Sequence, residues 1–347
     1  MSDPIDLKTA KIFTDLNKKL DKDYSSNFSF NNEEVHEALE KQSHIYFRAW
    51  IKLQQSWSNN AYRAFQDYDT YVILIFLVLQ VFKKYSDRFQ YLSEEEFYSR
   101  EHKLDKINLI EISKELNIPK ETIRRKVNFL QKKNLLIRRG KSIFLTKEIS
   151  IYQRPNSTKT ILATFLEKNS ILLSKEDWFG EHMQVEKIVT FISEFFTIAW
   201  QHWFRLQIPF LIRHRNMFGD LETWNVWGSI GISQFHDYNK SVADQIIPSP
   251  ERYKDLYIQL LKHNPKSGIN ASSIAEISGI PRATVIRKLK FLVKEKFIKK
   301  NKKLEYTFVH TNMQTEFIEK AYLVNKQYVS NFITDIFDLM KNSKFKI

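Results

Sequence analysis

Cysteine is absent from the 347 residues. That excludes a disulfide framework, a thiolate zinc site and a cysteine nucleophile, and it suits a reducing compartment, so the cytoplasm is the expected location. Glycine and proline are scarce, at 7 and 8 residues; few tight turns can be built, and helices are expected rather than a many-stranded sheet. Long apolar runs are missing too. The longest, Tyr71–Phe82, falls short of the roughly 20 residues that cross a bilayer. The stretch Met1–Leu20 carries no apolar signal core, so neither secretion nor membrane insertion is expected. GxxxxGK(S/T), GxSxG and HExxH do not occur, and the nine His show no paired-ligand spacing. With no thiol either, no catalytic or metal-binding constellation is left, and neither enzyme activity nor a cofactor is expected.

What is abundant is positive charge. Lys plus Arg number 54 against 40 Asp plus Glu, a net +14. Such an excess concerns partners rather than fold, and points to a polyanion such as nucleic acid or an acidic surface. The length favours two domains, each large enough to bury a core.

An internal repeat organises the chain. Shifted by 162 residues, Ile118–Lys133 aligns without a gap on Ile280–Glu295, with eight of 16 pairs identical. A second shift, by 153, places Trp50, Leu53, Gln54, Phe65, Asp67 and Thr70 on Trp203, Leu206, Gln207, Phe218, Asp220 and Thr223. One duplication, covering about 35–147 and 188–309 with nine extra residues in the second copy between about 236 and 268, accounts for both offsets. Pro248, Pro250, Pro265 and Gly268 make that insertion a surface loop by composition.

Each copy opens on a long helix, shown by apolar spacing of three and four over Val35–Leu53 and Ile188–Leu206. Tyr71–Phe82 alone could be a buried strand, but its counterpart Trp224–Phe235 has Trp224, Trp227, Ile230 and Phe235 at helical spacing. A helix is therefore expected in both. Asp67, Asp69, Asp220 and Glu222 precede or open these helices and read as caps and first-turn acids. Trp200, Trp203, Trp224 and Trp227, with His202, read first as aromatic core and second as the lining of a small-molecule effector pocket between the copies. From about 313 to 341, apolar pairs recur every 3.5 to 4 residues. That is a helix of about 40 Å with one sticky face, for packing or for a homodimer.

Towards the end of each copy lies a compact signature. Ile110–Leu116 is a short amphipathic helix, Asn117-Ile118-Pro119 a turn, and Lys120–Lys133 a second helix with Ile123, Val127 and Leu130 inward. Ile274–Ser278, Gly279-Ile280-Pro281 and Arg282–Glu295, with Val285, Leu289 and Leu292 inward, repeat it. Pro suits the first turn of a helix, where its missing N–H costs nothing, and Asn117 and Gly279 tolerate a left-handed turn. A short hairpin with a basic tip follows each, at Leu135–Leu145 and Phe297–Val309.

Ile118-Pro119-x-x-Thr122-x-x-Arg125 and Ile280-Pro281-x-x-Thr284-x-x-Arg287, each followed by its hairpin, resemble the winged helix-turn-helix regulators. In the long flanking helices the chain looks most like the MarR-type branch. The resemblance covers about 40 residues per copy closely and the surrounding helices loosely. It implies a mainly α fold of two tandem winged helix-turn-helix modules with long flanking helices and small β-wings. The division is then a flexible tail at 1–31, module one at 32–149, a connector at 150–185, module two at 186–310, and a packing or dimerisation helix at 311–347. Family members commonly dimerise through terminal helices, whereas here both modules share one chain and a pseudo-dimer can stand for the dimer.

Charge supports a duplex partner independently. Residues 107–147 hold 11 Lys/Arg against three Glu, and 269–309 hold ten against three, so these two segments carry +15 of a total +14 and the rest about −1. An excess confined to two similar segments is what phosphate neutralisation at a defined surface requires. The second helices would enter successive major grooves about 34 Å apart. They would offer Lys120, Thr122, Arg124, Arg125 and Asn128 in copy one, and Arg282, Thr284, Arg287 and Lys290 in copy two. Arg suits guanine, Asn adenine, and the Thr a phosphate. Arg138, Arg139 and Lys141, and Lys299, Lys300, Lys302 and Lys303, would grip backbone or minor groove from the hairpins. The expected function is sequence-specific double-stranded DNA binding by a transcriptional regulator, without membrane partners. A replication initiator of plasmid or phage type, and a scaffold whose winged helices bind protein, are the alternatives.

Overall fold

Apolar spacing of three and four residues becomes helix throughout the chain, and the computed structural model is mainly α. It describes residues 32–41, 43–88, 90–104, 108–140, 142–153, 156–175, 182–243, 253–310 and 312–343; the tail expected at 1–31, and Lys141, lie outside them. Copy one runs α1 (Asn32–Lys41), α2 (Ser43–Phe65), α3 (Tyr68–Ser86), α4 (Glu94–Tyr98), β1 (His102–Leu104), α5 (Leu109–Leu116), α6 (Lys120–Lys132), β2 (Leu136–Arg139) and β3 (Ser142–Leu145). A short turn of helix, α7 (Ser150–Gln153), and the longer α8 (Asn156–Lys175) follow. Copy two runs α9 (Val185–Glu194), α10 (Phe196–Phe218), α11 (Leu221–Ala243), α12 (Tyr253–Lys262), β4 (Ile269–Asn270), α13 (Ala271–Ser278), α14 (Arg282–Lys294), β5 (Ile298–Lys300) and β6 (Glu305–Phe308), and α15 (Asn312–Asn342) closes the chain.

The duplication is written into the element boundaries. Residue for residue, α1 and α2 match α9 and α10 at the offset of 153, while α5 and α6 match α13 and α14 at 162. Tyr71–Phe82 lies inside helix α3, where 12 residues from Tyr68 to Phe82 are buried. The stretch read as a surface loop in copy two departs from expectation. It includes α12, whose Leu256, Leu260 and Leu261 are buried, because four-residue apolar spacing outweighs the turn formers on either side of it.

The copies interlock about a pseudo-twofold axis. Gln54 and Gln207, equivalent positions, hydrogen-bond each other reciprocally, Nε2 to Oε1 at 3.0 Å in both directions. A residue that pairs with its own counterpart in this way sits on the axis of an isologous contact. Around it, Trp50 meets Phe210 edge-on at 5.5 Å, and the equivalent pair, Trp203 and Trp57, meets at 4.9 Å. The central Trp residues are therefore core: Trp203 of α10 is fully buried, and Trp200 of α10 and Trp224 of α11 nearly so. Helix α3 packs along α10, and α2 along α11; the first helix of each copy, α1 or α9, lies on the trailing helix of the other copy's span, α15 or α8. Residues 32–347 consequently form one unit. The sticky face of α15 is used within the chain, with Tyr328, Val329, Phe332, Ile333, Ile336, Phe337 and Met340 all buried and His202 Nδ1 of α10 2.8 Å from Asp335 Oδ2.

Candidate nucleic-acid interface

Two identical local constructions place the basic segments. Asp67 caps α3 by accepting from Thr70 N at 2.9 Å, and Asp220 caps α11 by accepting from Thr223 N at 2.7 Å. The same carboxylates hold the second helices: Lys126 of α6 pairs with Asp67 at 2.7 Å, and Lys288 of α14 pairs with Asp220. These two lysines, matched in register between the copies, are thus engaged inside the protein. Ile123, Val127 and Leu130, and Val285, Leu289 and Leu292, bury the inner faces of the two helices.

The turns are built as their composition requires. Asn117 (φ 51°, ψ 38°) and Gly279 (φ 75°, ψ 2°) take the left-handed conformation after α5 and α13. Pro119 and Pro281 stand immediately before the second helices, which begin at Lys120 and Arg282. Each is the N-cap rather than the first helical residue, with ψ near 135°, and its carbonyl accepts the first helical bond, from Ile123 N and Val285 N at 3.0 Å. Asn134 (φ 55°) and Lys296 (φ 58°) then turn the chain into hairpins, antiparallel sheets of order β1-β3-β2 and β4-β6-β5.

Each turn docks on the other copy's long helix. Asn117 Nδ2 donates to Asn216 Oδ1 at 2.7 Å, and its carbonyl accepts from Arg215 Nη1 at 2.9 Å. On the opposite side, Asn59 Nδ2 donates to the Ile277 carbonyl at 2.9 Å, and Arg63, the equivalent of Asn216, lies against Gly279. Arg215 also binds Asp69 at 3.0 Å. The equivalents of that ion pair are Tyr62 and Glu222, with no cation in the Arg215 place, and burial of Glu222 beside Asp220 and Asp67 pushes its carboxyl up to about 7.

With the inner faces buried and the turns docked, the remaining faces point outward. Lys120, Arg124, Arg125 and Asn128 of α6, and Arg282, Arg287 and Lys290 of α14, are exposed, while Thr122 and Thr284 near the helix starts are half-buried. Positions i, i+4, i+5 and i+8 form one arc of a helix, so each copy presents its set on one surface. Arg138 and Arg139 of β2, Lys299 and Lys300 of β5, and Lys302 and Lys303 at the second tip are exposed too.

Not all of these cations are free. Glu121 takes three hydrogen bonds from Arg124, from Nε at 3.1 and 3.2 Å and Nη2 at 2.6 Å. The guanidinium beside it holds that carboxyl below its ordinary range. Arg139 is paired end-on with Glu101, at 2.6 and 3.0 Å, and lies over the Phe144 ring. Glu101 was invisible to sequence reasoning because 38 residues separate it from Arg139 and the three-residue strand β1 that brings it near leaves no periodic signal. Arg282 Nε reaches Ser272 Oγ at 3.0 Å. Arg125 and Arg287, the pair in register, make no ion pair among the described residues. Phe129 and Phe291, identical in the two copies and 36% and 41% exposed, add an apolar rim to both surfaces that the sequence alone did not single out.

Elsewhere, Trp57, Asn60, Tyr71, Tyr98, Trp200 and Phe204 leave between the copies a cavity of about 20 Å³, room for about one water. A larger cavity, of about 240 Å³, lies in copy one, between α3, β1 and the start of α5. Among the described residues no single helix is long and apolar enough to cross a membrane. Comparison with family models, curated proteins and solved structures returns no match.

Proposed function

We propose that the chain is a sequence-specific double-stranded DNA-binding protein, a transcriptional regulator that uses two winged helix-turn-helix modules as a single-chain pseudo-dimer. One observation carries the reading: each copy turns a cationic arc and a basic hairpin outward, while the lysines at the matching inner positions, Lys126 and Lys288, are anchored to Asp67 and Asp220. In this reading α6 and α14 are the recognition helices. Arg125 and Arg287 reach base edges, Lys120, Thr122, Thr284 and Lys290 line the phosphates, and Arg138, Lys299, Lys300, Lys302 and Lys303 grip the flanking backbone. Arg139 contributes only after releasing Glu101. A small-molecule effector would find more room in the copy-one cavity than among the Trp residues at the axis.

The test is the salt dependence of binding. Titration of the full chain against random-sequence duplex should show affinity falling about 10³- to 10⁵-fold between 50 and 200 mM salt, as expected for six to ten phosphate contacts. Affinity that is flat across this range would remove the DNA reading and favour a scaffold that binds protein. Where bound sites fall in the genome, at promoters or at an origin, then separates a regulator from a replication initiator.

A further inference from the structure

The two outward arcs are alike except in one patch. At the offset of 162, Lys120 corresponds to Arg282, Arg125 to Arg287 and Asn128 to Lys290, all of them polar. Glu121 and Arg124, however, correspond to Ala283 and Ile286. In copy one these two positions form a charged unit. Glu121 occupies Arg124 through Nε and one side of Nη2, which leaves the end edge of this exposed guanidinium, one N–H each from Nη1 and Nη2, outside the pairing. That edge has the spacing to bind O6 and N7 of guanine together. In copy two the same place is a hydrocarbon surface, Ala283 exposed and Ile286 half-buried, with exposed Arg282 and Arg287 beside it. Arg282 Nε is directed to Ser272 on α13 rather than across this patch.

Major-groove base edges differ in what they can offer such surfaces. Guanine and adenine present hydrogen-bonding groups, and cytosine an amino group beside a bare C5–H; an apolar side chain pressed on the hydrogen-bonding groups displaces water without replacing its bonds. Thymine alone presents a methyl group, which gains by leaving water against Ala or Ile. We infer that the two helices recognise different half-sites: a guanine-bearing one read by the Glu121-held Arg124 of copy one, and a thymine-bearing one whose C5 methyls pack on Ala283 and Ile286 of copy two. The bound sequence is therefore not an inverted repeat, despite the pseudo-twofold of the protein. This inference rests on the duplex-binding reading above.

The experiment uses the full chain. Duplexes are selected from a randomised pool, and the selected sequence is then remade with deoxyuridine for thymidine in one half at a time, which removes only the methyl groups. The expected result is a selected sequence with two unlike halves, in which uracil weakens binding about fourfold per methyl on the copy-two side, the fold-change for re-exposing one such group, and leaves the other side unchanged. Chain carrying Ala283→Glu with Ile286→Arg should lose that uracil sensitivity and select an inverted repeat. An inverted repeat selected by the native chain, or equal uracil sensitivity in both halves, overturns the inference while duplex binding stands. No enriched sequence together with salt-independent binding defeats both.

Discussion

Replacing Gln207 by Leu would remove one partner of the reciprocal amide pair at the axis. Gln54 and Gln207 are 5% and 0% exposed and joined by two bonds of 3.0 Å, so the surviving Gln54 amide would keep a donor and an acceptor buried without their partner. Each group left in that state costs about 1–3 kcal/mol, and the single change should lower stability by roughly 2–4 kcal/mol. Replacing both removes every polar group that needed satisfying and leaves two side chains of similar volume in contact. That loss should stay below about 1.5 kcal/mol. The four proteins of this double-mutant cycle can be compared by urea unfolding followed through Trp fluorescence, which Trp57 and Trp203 beside the axis report directly. The expected signature is non-additivity of at least about 2 kcal/mol, with the double variant more stable than the sum of the single ones implies. Additive losses, within about 0.5 kcal/mol, would refute the pairing and with it the placement of the axis.

Arg125→Ala or Arg287→Ala should weaken binding to a selected duplex by about 1–3 kcal/mol each, measured by titration at fixed salt; unchanged affinity in both would reject their assigned roles. Burial raises the Glu222 carboxyl from the ordinary 4.5 to about 7, so between these values the folded chain holds a proton that the unfolded chain has lost, and stability falls as pH rises through the window. Glu222→Gln should accordingly gain stability over the native chain at pH 8, by roughly 2–4 kcal/mol, and the gain should vanish near pH 4; a difference independent of pH would contradict this. Leu304 sits at the second hairpin tip with φ 62° and 59% exposure, a conformation that costs a side chain about 1–2 kcal/mol. Leu304→Asn should recover about 1 kcal/mol in thermal or urea unfolding, and no gain would mean that the turn relaxes around leucine.

Much of the local structure could be read from the chain because the duplication supplies two versions of each element. Tyr71–Phe82 is ambiguous alone, yet its counterpart with Trp224, Trp227 and Ile230 at helical spacing decides for helix, and helix is what forms. The starts of α6 and α14 at Lys120 and Arg282 follow from the Pro before each. Partners were the harder part. An apolar stripe specifies that a face is buried and not what buries it, so the packing of α1 on α15 and α9 on α8 has no signature in periodicity. The docking of Asn117 on Arg215 and Asn216, and the capture of Arg139 by Glu101, join polar residues 98, 99 and 38 positions apart, and no local rule pairs them. Strands β1 and β4, of three and two residues, are too short for alternation to register.

Where two separate copies of one polypeptide meet on an axis, any amino-acid change is made twice and must be tolerated on both sides together. In this chain a codon alters one side only. The ion pair of Asp69 with Arg215, set against Glu222 and Tyr62 at the mirrored position, is a difference that no assembly of identical subunits could hold. Fusion thus lets each half be tuned alone while the amides of Gln54 and Gln207 keep the halves aligned.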